Sequence, residues 1–466
     1  MSWTQVSPNR YERPFDSIES FYRIVAAAGA PLNKEHYLIT CTLQLQPPLP
    51  PTSAIEQAWK ALRHVYPQLA AEPEADGNGS ERFVYEAITS TTQLDAWAQE
   101  TFHIDTNRTA NNLYEQLTPS PRVHLYYLPN TSEVVFRTPH WRIDGIGLLH
   151  MQSTFLQLLA DGTIHPIDGT EPSRLCPAVD QAIADSNLPN TTCPLDEPAA
   201  TAASNRELQP CLTQTNNGNL MLPTLPNVLP TNPKRILRHI DSATTTRLLE
   251  ACSAHNITIT AATHAALALT GLQFALHPEN KPDYVGFNAF DLRRYLPEPW
   301  NDSAAAVSLY HTGLPFRMPL YPTEVEKHEE FLRLARDFTS LYRRNLANEA
   351  PQNIFDFLPT YVGRVMQVLG AAPPDPLLAP AHPELSSMGR VNELLKSEVE
   401  GEERKVKVEE WWVAIEVINR LLLTQVWSFN GELVLSVHWN EAFYERSFVE
   451  GVFERWREVL VEEMLQ

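Results

Sequence analysis

Between residues 133 and 160 the pattern of apolar and polar positions changes its period once. Glu133-Val134-Val135-Phe136-Arg137-Thr138-Pro139 is an apolar, alternating run and predicts a strand, whereas Ile146 to Ala160 carries the spacing of a helix. The six residues between them, His140-Trp141-Arg142-Ile143-Asp144-Gly145, therefore form a turn held at both ends by regular structure. A histidine at such a junction can face a cleft while its backbone is fixed.

The same reading extends along the chain. Residues 17–28 predict a helix with Phe21, Ile24, Val25 and Ala28 on one face. Tyr37 to Leu45 alternates as a strand, and Ser53 to Val65 reads as a helix with Ser53 as its N-cap. Strands are expected near 83–88, 123–128 and 134–138. From about Gly162 to Pro233, Pro, Asn and Thr accumulate without periodicity, as in Leu188-Pro189-Asn190-Thr191-Thr192, which suits a linker or crossover. Regular patterning then resumes: a strand over 235–240, a helix over 242–255, and an Ala-rich helix over 257–269 that must pack closely. His264 within it reads as a core or interface histidine. A strand over 284–290 and a long amphipathic helix from Val325 to Asn348 follow, then a Pro-rich loop over 373–383. The mixed-charge run Lys396 to Glu410 reads as an exposed turn. Trp411–Ile418, Leu421–Phe429 and Glu432–Trp439 suggest two hairpin connections, with Asn430-Gly431 as a two-residue turn. Phe448 to Leu465 closes the chain as an amphipathic helix.

Mixed rather than strictly alternating elements imply an α+β fold. At 466 residues the chain exceeds one ordinary core. The expected division is an N-terminal subdomain over 1–165, a linker over 166–233 and a C-terminal subdomain over 234–466.

Composition narrows the chemistry. A formal charge of −20 leaves no basic stripe for nucleic acid and disfavours an anionic membrane surface. Cys41, Cys176, Cys193, Cys211 and Cys252 are scattered and odd in number, without metal spacing, so reduced thiols and a cytoplasmic setting are expected. The start of the chain lacks the basic and apolar regions of a signal peptide, and no apolar run approaches the ~18 residues of a membrane span.

Attention returns to His140, because histidine exchanges protons near neutral pH. With 15 His in the chain, H-x-x-x-D is expected about once by chance, and requiring a following Gly lowers this to roughly a few per cent. His165-Pro166-Ile167-Asp168-Gly169 has the same letters with a shorter gap, and only the strand–turn–helix setting separates the two. The bland alternative for His140 is a hydrogen-bonded histidine at a strand end.

His140-x-x-x-Asp144-Gly145, together with Asp291-x-Arg293 and Ser386-Ser387-Met388-Gly389, resembles the H-x-x-x-D-G acyltransferase superfamily, which includes the plant BAHD enzymes and peptide-synthetase condensation domains. Phe287 to Arg294, Glu384 to Gly389 and Phe429 to Leu433 are similar to the fungal trichothecene 15-O-acetyltransferase type. The resemblance implies two chloramphenicol-acetyltransferase-like subdomains with a tunnel between them. It also implies a cytoplasmic monomer that uses an acyl-CoA thioester as co-substrate, no metal, and a small-molecule alcohol as acceptor. His140 would be the general base. Asp144 would pair with Arg293 to shape the turn, and Gly145 would let the backbone pass closely at the helix start. Ser386 and Ser387 would either offer a hydroxyl to the oxyanion or make ordinary turn hydrogen bonds. Trp141 reads first as core packing and second as a tunnel wall. Arg142 reads either as a contact for a donor phosphate or anionic acceptor, or as a surface ion pair. Condensation domains carry a further His where this chain has Pro139, which points away from peptide-bond formation, and the D-F-G-W-G stretch of BAHD enzymes is absent. The implied activity is O-acylation, acetyl above all, of a fungal terpenoid or polyketide. The competing reading is a condensation-like enzyme that takes its acyl group from a carrier protein or cyclises an intermediate.

Overall fold

The run at 133–138 becomes an inner strand of a six-stranded sheet. Its order is Glu398–Glu400, Lys405–Ile415, Ile39–Leu45, Glu133–Thr138, His124–Leu128, Phe102–Ile104. The computed structural model describes residues 2–75, 80–186, 195–213, 218–321, 327–347, 353–369, 377 and 379–466. Val134, Val135 and Phe136 have no exposed surface, so the strand is buried on both faces. Phe136 packs against Phe155 of the helix Gly145–Asp161 and against Trp59 of the helix Thr52–Val65. Burial of each such side chain stabilises the fold by roughly 1.5–3 kcal/mol.

The chain forms two compact units that do not follow chain order. The first comprises Met1–Leu188, Asp291–His311 and Val391–Glu416, and the second Pro189–Phe290, Thr312–Arg390 and Val417–Gln466. The first unit holds the six-stranded sheet and a four-stranded one built from Thr4–Ser7, Arg10–Pro14, Glu81–Glu86 and Glu72–Ala75. The second holds a four-stranded sheet ordered Pro383–Arg390, Leu422–Phe429, Glu432–Asn440, Pro233–Ile240. Beside it the helix Ile259–Gln273, almost wholly buried, packs against the helices Lys327–Tyr342 and Arg446–Met464. Its alanines permit that close approach.

Several expectations change on contact with the structure. Only one of the two late hairpins forms. Leu422–Phe429 pairs with Glu432–Asn440 across Asn430 and Gly431, both at positive φ as the tight turn requires. The strand before it instead pairs with Ile39–Leu45, Trp411 opposite Leu43 and Ile415 opposite Ile39, because its apolar side chains complete the first unit's sheet. The charged run over 396–410 is itself a hairpin of Glu398–Glu400 on Lys405–Ile415, with Lys405 and Lys407 paired to Glu398. The helix Ser17–Ala27 forms but turns Ile24 outward and Glu19 inward. Glu19 bonds Arg13 and completes a capping box with Asp16, and these polar contacts override the apolar count. Ser53 lies inside its helix, which begins at Thr52 with Pro51 at the cap position. The linker contains helices Val179–Ala184 and Glu197–Glu207. The second starts on an Asp196 cap with Pro198 in its first turn, a start signal that outweighs the surrounding Pro and Asn.

Residues 187–194 and 214–217 of that linker, both ends of the run Val325 to Asn348, and residues 373–376 and 378 of the 373–383 loop lie outside the described residues. So does Cys193; Cys41, Cys176, Cys211 and Cys252 are free thiols. Among the described residues no helix is long and apolar enough to cross a membrane.

Candidate active site

The turn after Thr138 is tied first to its own chain. Arg142 N–H donates to the Pro139 carbonyl at 3.2 Å, and Asp144 then caps the helix Gly145–Asp161, accepting from Gly147 N–H at 2.7 Å. The remaining capacity of the Asp144 carboxylate is filled from residues 291–311. Arg293 Nη1 donates to its two oxygens at 3.0 and 2.9 Å, and Tyr310 N–H donates at 2.7 Å. Arg293 is itself held by Asp291, the Ala305 carbonyl and the Ser308 hydroxyl. Burial opposes charge on Asp144, but Arg293, His311 and the Gly147 N–H outweigh it and hold the carboxyl well below the usual range.

A close approach that demands glycine falls at Gly147. A Cβ on Gly147 would lie 2.1 Å from the Ala306 carbonyl oxygen and 3.1 Å from Arg293 Nη2. Gly145 and Gly147 share one G-x-G spacing, and the loop at 306, remote in sequence, crowds Gly147.

His140 follows the strand and is partly exposed. Its ring stacks on Tyr22, centroids 4.2 Å apart and planes within 11°. Tyr37 meets it edge-on at 6.2 Å, and His311 lies at 5.4 Å. Tyr37 is itself held at φ 67°, an uncommon conformation for a bulky residue and one that clusters at functional sites. Enclosure of the His140 ring and the nearby His311 push its pKa down to about 3, with its own carbonyl and Asp144 opposing. The imidazole is therefore neutral at physiological pH. Nδ1 is buried and has no hydrogen-bond partner among the described residues. The arrangement provides an uncharged imidazole on a rigid turn, suited to accepting a proton from a bound hydroxyl.

Trp141 and Arg142 lie in the interior, Trp141 as core packing. Trp141 has no exposed surface and packs with Phe15 and Phe83, both at 5.9 Å. Arg142 is buried, lies over the Trp141 ring, and donates to the carbonyls of Pro121, Gln68 and Ala71. Its guanidinium is engaged by backbone acceptors: Gln68 in the 3₁₀ turn Pro67–Ala70, Ala71 just after it, and Pro121 ahead of His124–Leu128. In the second unit, Ser386 and Ser387 lie on Pro383–Arg390 and are partly exposed. The Ser387 hydroxyl bonds Thr260 Oγ1 at 3.1 Å and the Gly389 N–H at 3.3 Å. His264 is a buried core histidine between the hydroxyls of Tyr342 and Tyr284 and stacked on Phe338. Tyr22, Tyr37, Gly147 and His311 were not indicated by any sequence pattern; the G-x-G spacing was the one available signal.

Comparison with known proteins adds the wider context. No protein-family model matches the chain. Over 99% of this chain and 97% of the other, its backbone superposes on the TRI3 trichothecene 15-O-acetyltransferase of Fusarium sporotrichioides with a TM-score of 0.80 and 18% identity. The chain has the fold of that acetyltransferase. The condensation domain of the Monacolin K polyketide synthase MokA is similar in fold at a TM-score of 0.63 and 13% identity, covering 100% of this chain and 99% of that one. In sequence, the acetyltransferase pigO of Monascus ruber is 27% identical over 482 residues, spanning 100% of this chain and 98% of the relative. The O-acetyltransferase pigM of the same organism is 27% identical over 477 residues, spanning 100% and 87%.

Proposed function

We propose that this chain is an O-acyltransferase that moves an acyl group, acetyl in the first instance, from a coenzyme A thioester to a hydroxyl of a fungal secondary metabolite, a terpenoid or polyketide. The observation that carries the reading is end-to-end similarity to two fungal acetyltransferases, with a neutral imidazole at the strand–helix turn. His140 Nε2 takes the acceptor's hydroxyl proton as the oxygen attacks the thioester carbonyl. The tetrahedral intermediate collapses, the C–S bond breaks, and the departing sulfur takes the proton back from the imidazolium. The products are an ester and free coenzyme A. General-base catalysis of this kind is worth about 10²–10⁴ in rate. Asp144, Gly145 and Arg293 shape the turn, and a hydroxyl of Ser386 or Ser387 serves the developing oxyanion. In this reading the protein is a cytoplasmic monomer that uses no metal. The base belongs to the first compact unit, in its segment Met1–Leu188.

The test is release of free thiol from acetyl-CoA in the presence of terpenoid and polyketide alcohols. His140→Ala should lose at least about 100-fold in rate with an unchanged circular dichroism spectrum. Full turnover by that variant refutes the base. Thiol release that requires an acyl-carrier protein in place of acetyl-CoA would favour the condensation-like reading, for which the MokA domain is the structural precedent.

A further inference from the structure

We propose that Tyr22 and His311 are positioning residues of this site: Tyr22 fixes the plane of the His140 ring and supports the positive charge it gains, and His311 holds Tyr22 in place; the proposal rests on His140 being the base. Midway through the transfer His140 is an imidazolium in an enclosed place that disfavours charge. The Tyr22 ring lies flat against it at 4.2 Å, and an aromatic face attracts a desolvated cation. Tyr22 is carried on the helix Ser17–Ala27, whose first turn is locked by Asp16, Glu19 and Arg13. The platform is therefore rigid.

His311 connects that platform to the ion-paired turn. Its Nε2 lies 2.9 Å from the Tyr22 hydroxyl, and its buried Nδ1 lies 3.8 Å from Asp144 Oδ2. A carboxylate on that side favours the Nδ1–H tautomer, so Nε2 accepts and the Tyr22 O–H donates. A phenol that donates its proton has a more electron-rich face, and this is the face turned to His140. Asp144 thus acts on His140 at one remove, through His311 and Tyr22, while its direct bonds stay with Arg293, Tyr310 and Gly147.

The experiment uses the full chain, acetyl-CoA, and n-butanol as a generic acceptor alongside any alcohol found active. Tyr22→Leu removes the stacked face and should lower kcat about 30-fold with KM for acetyl-CoA unchanged. Tyr22→Phe keeps the face and loses the hydroxyl, and His311→Phe keeps a ring but loses both nitrogens; each should lower kcat about 3- to 10-fold. Because the two break one link, the double variant should fall no further than the worse single. In a His140→Ala background, Tyr22→Leu should leave the residual rate unchanged. Additive losses, or a wild-type kcat in Tyr22→Leu, overturn the proposal, whereas full turnover by His140→Ala alone marks failure of the base reading instead. A second measurement needs no substrate. In protein with ¹³C-labelled histidine rings, the His140 signal, assigned by His140→Ala, should be shielded by the stacked ring. That shielding should persist in Tyr22→Phe and vanish in Tyr22→Leu; a signal that does not move refutes the stack.

Discussion

Replacing Arg293 by Met tests how the turn under His140 is held. The substitution keeps most of the side-chain volume and removes the guanidinium that donates to both oxygens of Asp144, to Asp291 and to the Ala305 carbonyl. Asp144 is then a carboxylate with 3% exposure that has lost its counter-ion. Removing one partner of a buried pair costs about 3–5 kcal/mol. At about 2–4 °C per kcal/mol for a unit of this size, scanning calorimetry should show a transition lower by roughly 6–20 °C at pH 7. The pH dependence has a definite sign. In the native protein the folded pKa of Asp144 lies below its unfolded value of 3.8, so its stabilisation is present above that value and lost as pH falls through the folded one. In the variant, burial raises the folded pKa above 3.8, and protonation relieves the penalty as pH falls. The gap between the two proteins should therefore be widest at neutral pH and narrow in acid. The double variant Arg293→Met, Asp144→Leu removes both charges but leaves the N–H groups of Gly147 and Tyr310 without their acceptor, so it should recover only part of the loss. A loss below about 1 kcal/mol, a gap independent of pH, or a double variant worse than the single would refute the reasoning.

Two further perturbations follow from the same unit. Gly147→Ala would normally favour a helix by about 1 kcal/mol, but here the methyl meets a backbone carbonyl at 2.1 Å, so the protein should lose about 2–3 kcal/mol, read as a lower transition temperature; an unchanged or higher one contradicts the crowding. Glu35 is buried, its Oε1 has no hydrogen-bond partner among the described residues, and burial pushes its pKa up to about 7 against the opposing pull of Arg23. Its folded value lies above the unfolded 4.5, so native stability falls as pH rises from 4.5 through 7, by up to ~3 kcal/mol. Glu35→Gln should remove that slope and be the more stable protein at pH 8, and equal slopes between pH 5 and 8 would count against it.

The parts of the site that could be read from letters are those set by neighbours in sequence. The change from a two-residue to a helical period marks where Glu133–Thr138 ends and Gly145–Asp161 begins, and an acidic residue just before the helix is the signature of the Asp144 cap. The parts that could not be read depend on chain returning from far away. Tyr22 and His311 are 289 positions apart, and nothing local to either marks the other. On apolar count alone, the helix carrying Tyr22 would bury Ile24, yet the Glu19–Arg13 pair rotates it and so delivers Tyr22 to His140. Trp411–Ile415 has the letters of a hairpin partner for the strand that follows it, but burial is better satisfied against Ile39–Leu45. Local pattern fixes what an element is, while the charge pairs and carbonyls it meets fix which way it faces. Arg142 makes the point within the motif itself. Beside a candidate base its charge invites a ligand, yet the side chain is buried and three backbone carbonyls bind it, one at each guanidinium nitrogen.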